Sequence, residues 1–381
     1  MCGKSRGLEA ILRARLGAHG TIPFDYFMAA ALYDTEHGYY ATGEARTGRR
    51  GDFFTSVSVG PVFGRLLAAQ FAEMRDILGC PDEFTLVEQG ANDGQLMADI
   101  LTALERTHPE WQGQAIIVEP LDRLRAAQQQ TLAPWRERVR WVAHEAELPR
   151  FCGVFFANEL IDAFPVKLFV HHDGVWFEKC VADGPDGFVF VEVPGGDAAA
   201  AAGLNSPPLA EEGERFETEW RPTLREWMQG VAEKLMRGWV LLADYGHVER
   251  ERFRVGRTHG TLAAYRAHAR GEDPLAHPGA QDLTAHVDFT ELARLAEEAG
   301  LSLAGFTDQH HALTALAARV FPAMREAKLS AEEEREMRAL RQLLHPETMG
   351  RAFKFIAFSR GSDNKPVAFE FARDARQELF S

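Results

Sequence analysis

The chain has 381 residues, of which 46% are hydrophobic and 26% charged. This is a globular composition, long enough to bury a core without staples and to hold one large α/β domain with insertions or a second lobe. Its formal net charge of -14 argues against a nucleic-acid backbone as the main partner, since a phosphate lattice is met by a basic face; it is compatible with a cationic substrate, but plain solubility is the favoured reading.

The first twenty residues lack the apolar core of a signal peptide and predict an amphipathic helix with Leu8, Ile11, Leu12 and Leu16 on one side. No apolar run reaches membrane-spanning length, so a soluble protein without a membrane span is expected. The segment LYDTEHGYYATGEARTGRRGDFFTS reads as a long functional loop ordered by interleaved aromatics, followed by a helix over 61–78. Cys2, Cys80, Cys152 and Cys180 form no CxxC pair and meet no His pair at zinc spacing. They read as reduced thiols of a cytoplasmic protein without a metal site.

From Phe84 onward FTLVE, AIIVE, VRWVA and GVFFAN read as short buried strands, with QLMADILTALERT and LDRLRAAQQQTL as helices between them. Strands alternating with helices imply a parallel sheet covered on both faces. VKLFVHH, VWFEKCV and FVFVEV break this rhythm and predict inserted antiparallel strands, and PGGDAAAAAGLNSPP predicts a flexible loop. ERFETEWRPTLREWMQGVAEKLM predicts a helix, WVLLADYG another buried strand, and 256–288 a second long polar stretch. VDFTELARLAEEAG predicts a helix starting at Asp288 and stopping at Gly300, and LSLAGFTD and FKFIAFSR the last two strands, with two helices between them.

The sharpest local feature is LVEQGANDGQL: a strand ending in Glu88, a turn holding Gly90 and Gly94, and a helix starting at once. Glycines let a backbone turn sharply and approach a ligand closely. A dinucleotide site would want G-x-G-x-x-G under a pyrophosphate. This turn lacks the middle glycine, and Asp93 would face an anion. Acidic groups instead favour a ligand carrying an ammonium and a sulfonium. Glu119 ends the next strand, 25 residues past Gly94, where a carboxylate can accept both hydroxyls of a ribose. Order and spacing together point to a nucleoside cofactor.

The segments FTSVSVGPVFGRLLAAQF, VEQGANDGQLMADIL, FFANELIDAFPVKLF, LLADYG and GTLAAYRAHARGEDPLAHPGAQDLTAHVDF follow in this order. With them the sequence resembles the MidA family of class I methyltransferases, which includes the mitochondrial complex I assembly-factor arginine methyltransferase. The resemblance runs from IPFDYFM to MGRAFKFIAF; NELIDAFPV and GAQDLTAHVDF are its most specific parts. It implies a Rossmann-like α/β fold, with a seven-stranded, mostly parallel sheet, helices on both faces, a helical N-terminal region and an inserted β/loop lobe. It implies S-adenosylmethionine as cofactor, bound by Glu88, Gly90, Gly94 and Glu119, with Asp52, Phe54, Thr55 and Ser56 of GDFFTS closing the pocket. The sequence departs from the family pattern at Ser58, Asn92, Pro120 and Leu121. The expected organisation is 1–80 as an N-terminal region covering the cofactor site and 81–164 as the first half of the core. Inserted strands and loop follow over 165–218, the second half of the core over 219–360 with an acceptor-side loop at 256–288, and a tail over 361–381.

Methyl transfer from a sulfonium is an in-line displacement, so the protein must align nucleophile and methyl, exclude water and, where needed, take a proton. FFANELIDAFP puts Asn158, Glu159 and Asp162 after a buried strand, where this fold presents ligands. Glu159 and Asp162 share a face if the turn is helical, and two carboxylates hold a guanidinium by charge-assisted hydrogen bonds. Tyr245, which follows Asp244 at another strand end, is placed to line the acceptor channel. In the polar stretch Gln281, Asp282 and His286 are the acceptor-side candidates. The expected function is methyl transfer to a protein side chain, arginine foremost. A small-molecule methyltransferase and a non-catalytic assembly chaperone binding the cofactor are the alternatives.

Overall fold

The computed structural model describes residues 2–43, 56–79, 83–204, 215–252, 258–266, 269–271, 273–321 and 330–381. The chain divides into two compact units, one of Met1–Phe53, Ile161–Arg225 and Glu249–His286, the other of Phe54–Leu160, Glu226–Val248 and Val287–Ser381.

The second unit is built on a sheet. Its strands are Phe84–Gln89 (β1), Ala115–Val118 (β2), Val139–Val142 (β3), Phe151–Asn158 (β4), Leu235–His247 (β5), Ser302–Asp308 (β6) and Phe353–Arg360 (β7). They run in the order β3-β2-β1-β4-β5-β7-β6, and Val287–Asp288 pairs alongside β5. Pairings from β3 to β5 are parallel, and β7 is antiparallel to both its neighbours. Strands of such a sheet are covered on both faces and therefore read as unbroken apolar runs: Val154, Phe155 and Phe156 are all buried. Strand order reverses at β1, which has β2 on one side and β4 on the other. A crevice outside the carboxyl ends of the strands belongs at such a point. Helices Val62–Ile77 and Gln95–Thr107 pack together over a core that includes Phe63, Leu66, Ile100 and Leu101. Helix Phe289–Glu298 is capped by Asp288, which accepts from Thr290 N and Glu291 N. Gly300, in left-handed backbone, follows its end.

The first unit is antiparallel. Ile22–Pro23, Val175–Gly184, Lys167–His172 and Phe216–Trp220 pair in that order, with Gly187–Pro194 on the other edge of Val175–Gly184. A second small sheet joins Ala269–Gly271, Ala263–Arg266 and Asp282–Thr284. Helices Cys2–His19 and Phe24–Tyr33 contribute to its apolar core.

Four local expectations change. Leu8, Leu12 and Leu16 are buried at i, i+4, i+8, but Ile11 is 44% exposed, off the i+4 row that the core selects. FETEW is a strand rather than the start of a helix, because Phe216 and Thr218 point inward at period two and Pro222 bars helix at the residue before it; the helix is Leu224–Lys234. Within the alanine-rich loop, Gly196–Ala201 is helical, as alanine favours, with Asp197 in its first turn. The tyrosine-rich loop holds a helical turn at Tyr39–Thr42. Cys152 and Cys180 are free thiols. Among the described residues no helix is long and apolar enough to cross a membrane.

Candidate active site

After β1 the chain turns through Gly90 (φ 81°), Ala91, Asn92 (φ 48°), Asp93 and Gly94 (φ 85°) into helix Gln95–Thr107. Left-handed backbone costs glycine nothing and asparagine little, so Asn92 keeps the turn without being glycine. A Cβ on Gly90 would lie 3.1 Å from Leu160 Cδ1, and one on Gly94 3.3 Å from Gln128 Cα. Asp93 is exposed, and its Oδ1 accepts from Gln95 N at 3.1 Å.

Two carboxylates stand at the ends of β1 and β2. Glu88 is 2% exposed, and among the described residues its Oε2 has no hydrogen-bond partner. Burial, then the charge of Asp93, pushes its acid up to about 8. Glu119 is also buried, but both its oxygens are engaged: Oε1 accepts from Leu121 N at 2.9 Å and Oε2 from Gln128 Nε2 at 2.9 Å. Burial raises its acid too, while these hydrogen bonds and Arg125 pull it down.

The ends of β4 and β5 meet. Glu159 N donates to Ala243 O at 2.9 Å, Leu160 N to Asp244 Oδ2 at 3.2 Å, and Tyr245 N to Asp244 Oδ1 at 2.8 Å. Glu159 itself sits at φ 53°, left-handed backbone that side-chain-bearing residues adopt only where the surroundings enforce it. Its Oε1 accepts from Asn158 Nδ2 at 2.9 Å and Ser56 N at 3.3 Å. Ser56 is fully buried, and its hydroxyl donates to Gln309 Oε1 at 3.1 Å. The Tyr245 ring stands edge-on to Phe353, 5.6 Å between centroids. The single helical turn here covers only Ile161–Ala163. Glu159 therefore shares no helical face with Asp162, because its left-handed φ breaks the turn.

Asp162, Gln281, Asp282 and His286 belong to the first unit. Tyr40 OH donates to Asp282 Oδ1 at 3.1 Å. Burial, followed by Asp282, Tyr33 and Asp162, raises the Tyr40 phenol well above its ordinary value. Gln281 Nε2 donates to the carbonyls of Asp273 at 3.2 Å and Pro274 at 3.0 Å. The backbone around Asp162 and His286 is tied down by Ala285 N, which donates to Asp162 O at 3.0 Å, and by the buried Arg221, which donates to the carbonyls of Ile161 at 2.8 Å and His286 at 3.0 Å. Asp52, Phe54 and Thr55 lie outside the described residues.

The family described as "Putative S-adenosyl-L-methionine-dependent methyltransferase" matches residues 66–307. This chain belongs to that family. The methyltransferase is similar over its length to a COG1565 superfamily member from Burkholderia thailandensis solved bound to S-adenosyl-homocysteine. The TM-score is 0.87 at 35% identity, covering 98% of this chain and 96% of that one. A native structure of a COG1565 protein from the same organism gives 0.86 at 32% identity, over 98% and 97%. The mitochondrial protein arginine methyltransferase NDUFAF7 homolog of Drosophila melanogaster is 28% identical over 395 residues, covering 92% of this chain and 84% of that protein. NDUFAF7 of Homo sapiens is 27% identical over 378 residues, covering 91% and 82%.

The cofactor of this methyltransferase is S-adenosylmethionine. The residues after β1 and β2 fit it. A buried acidic oxygen without a donor suits a cationic ligand, a strand-end carboxylate suits a ribose, and Gly90 leaves the backbone bare. Of the residues singled out in the sequence, the second unit gathers Ser56, Glu88, Gly90, Gly94, Glu119, Asn158, Glu159 and Tyr245. Sequence reasoning missed Gln128, which is fully buried, and Gln309, which holds Ser56. The available signal for Gln128 was a polar residue in helical phase with Leu124 and Leu132, four residues away on either side.

Proposed function

We propose that this methyltransferase acts on a protein side chain, and that the acceptor is the guanidinium of an arginine. The observation that carries this reading is Glu159. It is half-buried, one residue past β4, in a backbone conformation that a glycine would adopt at no cost, yet it presents a carboxylate. The names of the curated relatives, protein arginine methyltransferases, support it.

Bound S-adenosylmethionine supplies a methyl group already activated on a sulfonium. The residues around it then have separate tasks. Gly90 and Gly94 let the loop backbone approach the ligand, and Ser56 closes over it. Glu88 balances its positive charge, and Glu119 accepts from the ribose hydroxyls. Glu159 orients the guanidinium by charge-assisted hydrogen bonds, draws electron density toward the attacking nitrogen, and takes up the proton released as that nitrogen is alkylated. Asn158 Nδ2 holds the carboxylate for this task, and Tyr245 lines the acceptor's path. Within the first unit Gln281 and Asp282 are 3% exposed; Gln281 donates to the Asp273 and Pro274 carbonyls of its own loop and Asp282 accepts from Tyr40 OH, so they act by bracing that loop.

Labelled S-adenosylmethionine, incubated with the protein and a lysate then separated by molecular mass, tests the reading. Label recovered as methylarginine after hydrolysis of the protein fraction is the expected result. Label in another amino acid removes arginine, and label confined to small molecules removes the protein acceptor.

A further inference from the structure

Gln128 lies on helix Asp122–Thr131 with no exposed surface. Its amide makes three contacts. Nε2 donates to the Asn92 carbonyl at 2.9 Å and to Glu119 Oε2 at 2.9 Å, and Oε1 accepts from Trp141 Nε1 at 3.1 Å. These partners allow only one orientation of the amide. A carbonyl and a carboxylate both need a donor and an indole N–H needs an acceptor, so a flipped amide would lose all three. The glycine loop presses on the same residue, since a Cβ on Gly94 would lie 3.3 Å from Gln128 Cα. Leu121 N holds the other oxygen of Glu119 at 2.9 Å. One side chain thus joins the backbone of the loop after β1 to the carboxylate after β2, and a ring from β3 steadies it.

We propose that Gln128 is a positioning residue for cofactor binding, holding the Asn92 carbonyl and the Glu119 carboxylate at a fixed separation so that loop and acid form one preorganised edge for the ribose. This rests on the reading that Glu119 accepts from the ribose hydroxyls. Gln128 acts through Glu119, and its effect is specific to the part of the ligand that Glu119 meets. A residue needed only for packing would weaken every ligand alike.

Calorimetric titration of the full-length protein with S-adenosylhomocysteine and with its 2′-deoxy analogue tests the proposal. The wild type should prefer the hydroxylated ligand. Gln128→Met, close in volume but without the amide, should weaken S-adenosylhomocysteine roughly tenfold, the deoxy analogue far less, and so collapse that preference. Combined with Glu119→Ala it should bind no more weakly than Glu119→Ala alone, because both remove one interaction. Trp141→Phe keeps an aromatic ring at this position, though a smaller one, and removes the N–H that donates to Gln128. It should narrow the preference by roughly two- to threefold, and it carries the test should Gln128→Met fail to fold. Equal weakening of both ligands, effects that add in full, or a wild-type preference in Trp141→Phe with Gln128→Met unfolded would each overturn the proposal. If Glu119→Ala itself keeps the wild-type preference, the ribose role of Glu119 is wrong and the proposal falls with it. If Glu119→Ala loses the preference and Gln128→Met retains it, the proposal alone is overturned.

Discussion

At the ends of β1 and β2 the left-handed positions belong to Gly90, Asn92 and Gly94, residues that adopt that backbone cheaply, and the carboxylates of Glu88 and Glu119 are buried in ordinary conformations. At the end of β4 the left-handed position belongs to Glu159, whose carboxylate is only half-buried. The first region puts its backbone in glycine and its chemistry in the strands. The second makes one residue do both. A side-chain-bearing residue in left-handed backbone costs about 1–2 kcal/mol, a strain tolerated where the side chain is needed. The difference fits the proposed division of work, in which the first region holds the cofactor and the second acts on the acceptor.

The widest separation between the regions should come from Glu159→Gln. It keeps size and one acceptor oxygen but removes the charge, so methyl transfer should fall by about 10²-fold or more while S-adenosylhomocysteine binds within about twofold of wild type on the same scale. Transfer at wild-type rate would end the acceptor role of Glu159. Loss of ligand binding would move it to the cofactor region.

A smaller effect should come from Glu88. Its acid lies near 8 in the fold against an ordinary 4.5, so between those values the unfolded chain releases a proton that the fold retains. The ligand-free protein therefore has the full contribution below pH 4.5 and loses it as pH rises toward about 8. Glu88→Gln stays neutral throughout and should lose less of its melting temperature than wild type between acid and mildly alkaline buffer. Parallel melting curves across that range would show that Glu88 does not titrate there. Because a cation favours the ionised form, S-adenosylmethionine binding to wild type should also release a proton below pH 8, seen as a heat that changes with the buffer's ionisation enthalpy.

The smallest effect isolates the backbone. Glu159→Ala and Glu159→Gly remove the same carboxylate, and only the second relieves the left-handed strain. The glycine variant should be the more stable of the two by about 1 kcal/mol, measured by denaturant unfolding. Equal stabilities would mean that the φ of Glu159 is relaxed in the variants and stores nothing.

The strands of the parallel sheet were legible because burial on both faces leaves apolar runs such as GVFFAN and WVLLADYG, and the glycine loop because Gly90 and Gly94 bracket it at a strand-to-helix turn. The helix starting after Asp288 was legible from its cap. FETEW was not, since its charged residues suit a helix as well as a strand, and the period-two burial of Phe216 and Thr218 shows only once the segment pairs with Lys167–His172. At the site, Glu88, Glu119 and Glu159 stood out as acids at strand ends. The left-handed turn that separates Glu159 from Asp162 left no trace, because it depends on Ala243 and Asp244, more than eighty residues away in sequence. Gln128 was hidden in a run of three glutamines, whose side chains are chemically identical, and only its helical phase with Leu124 and Leu132 sets it apart.

The position of β7 has a consequence for synthesis. It is the last strand in the chain, yet it fills the gap between β5 and β6. Until Phe353–Arg360 has left the ribosome, both of those strands present open edges, which are templates for pairing with other chains. A nascent or truncated product ending before Phe353 should therefore need chaperone cover and be prone to aggregate, so the sheet can close only once Phe353–Arg360 has been made.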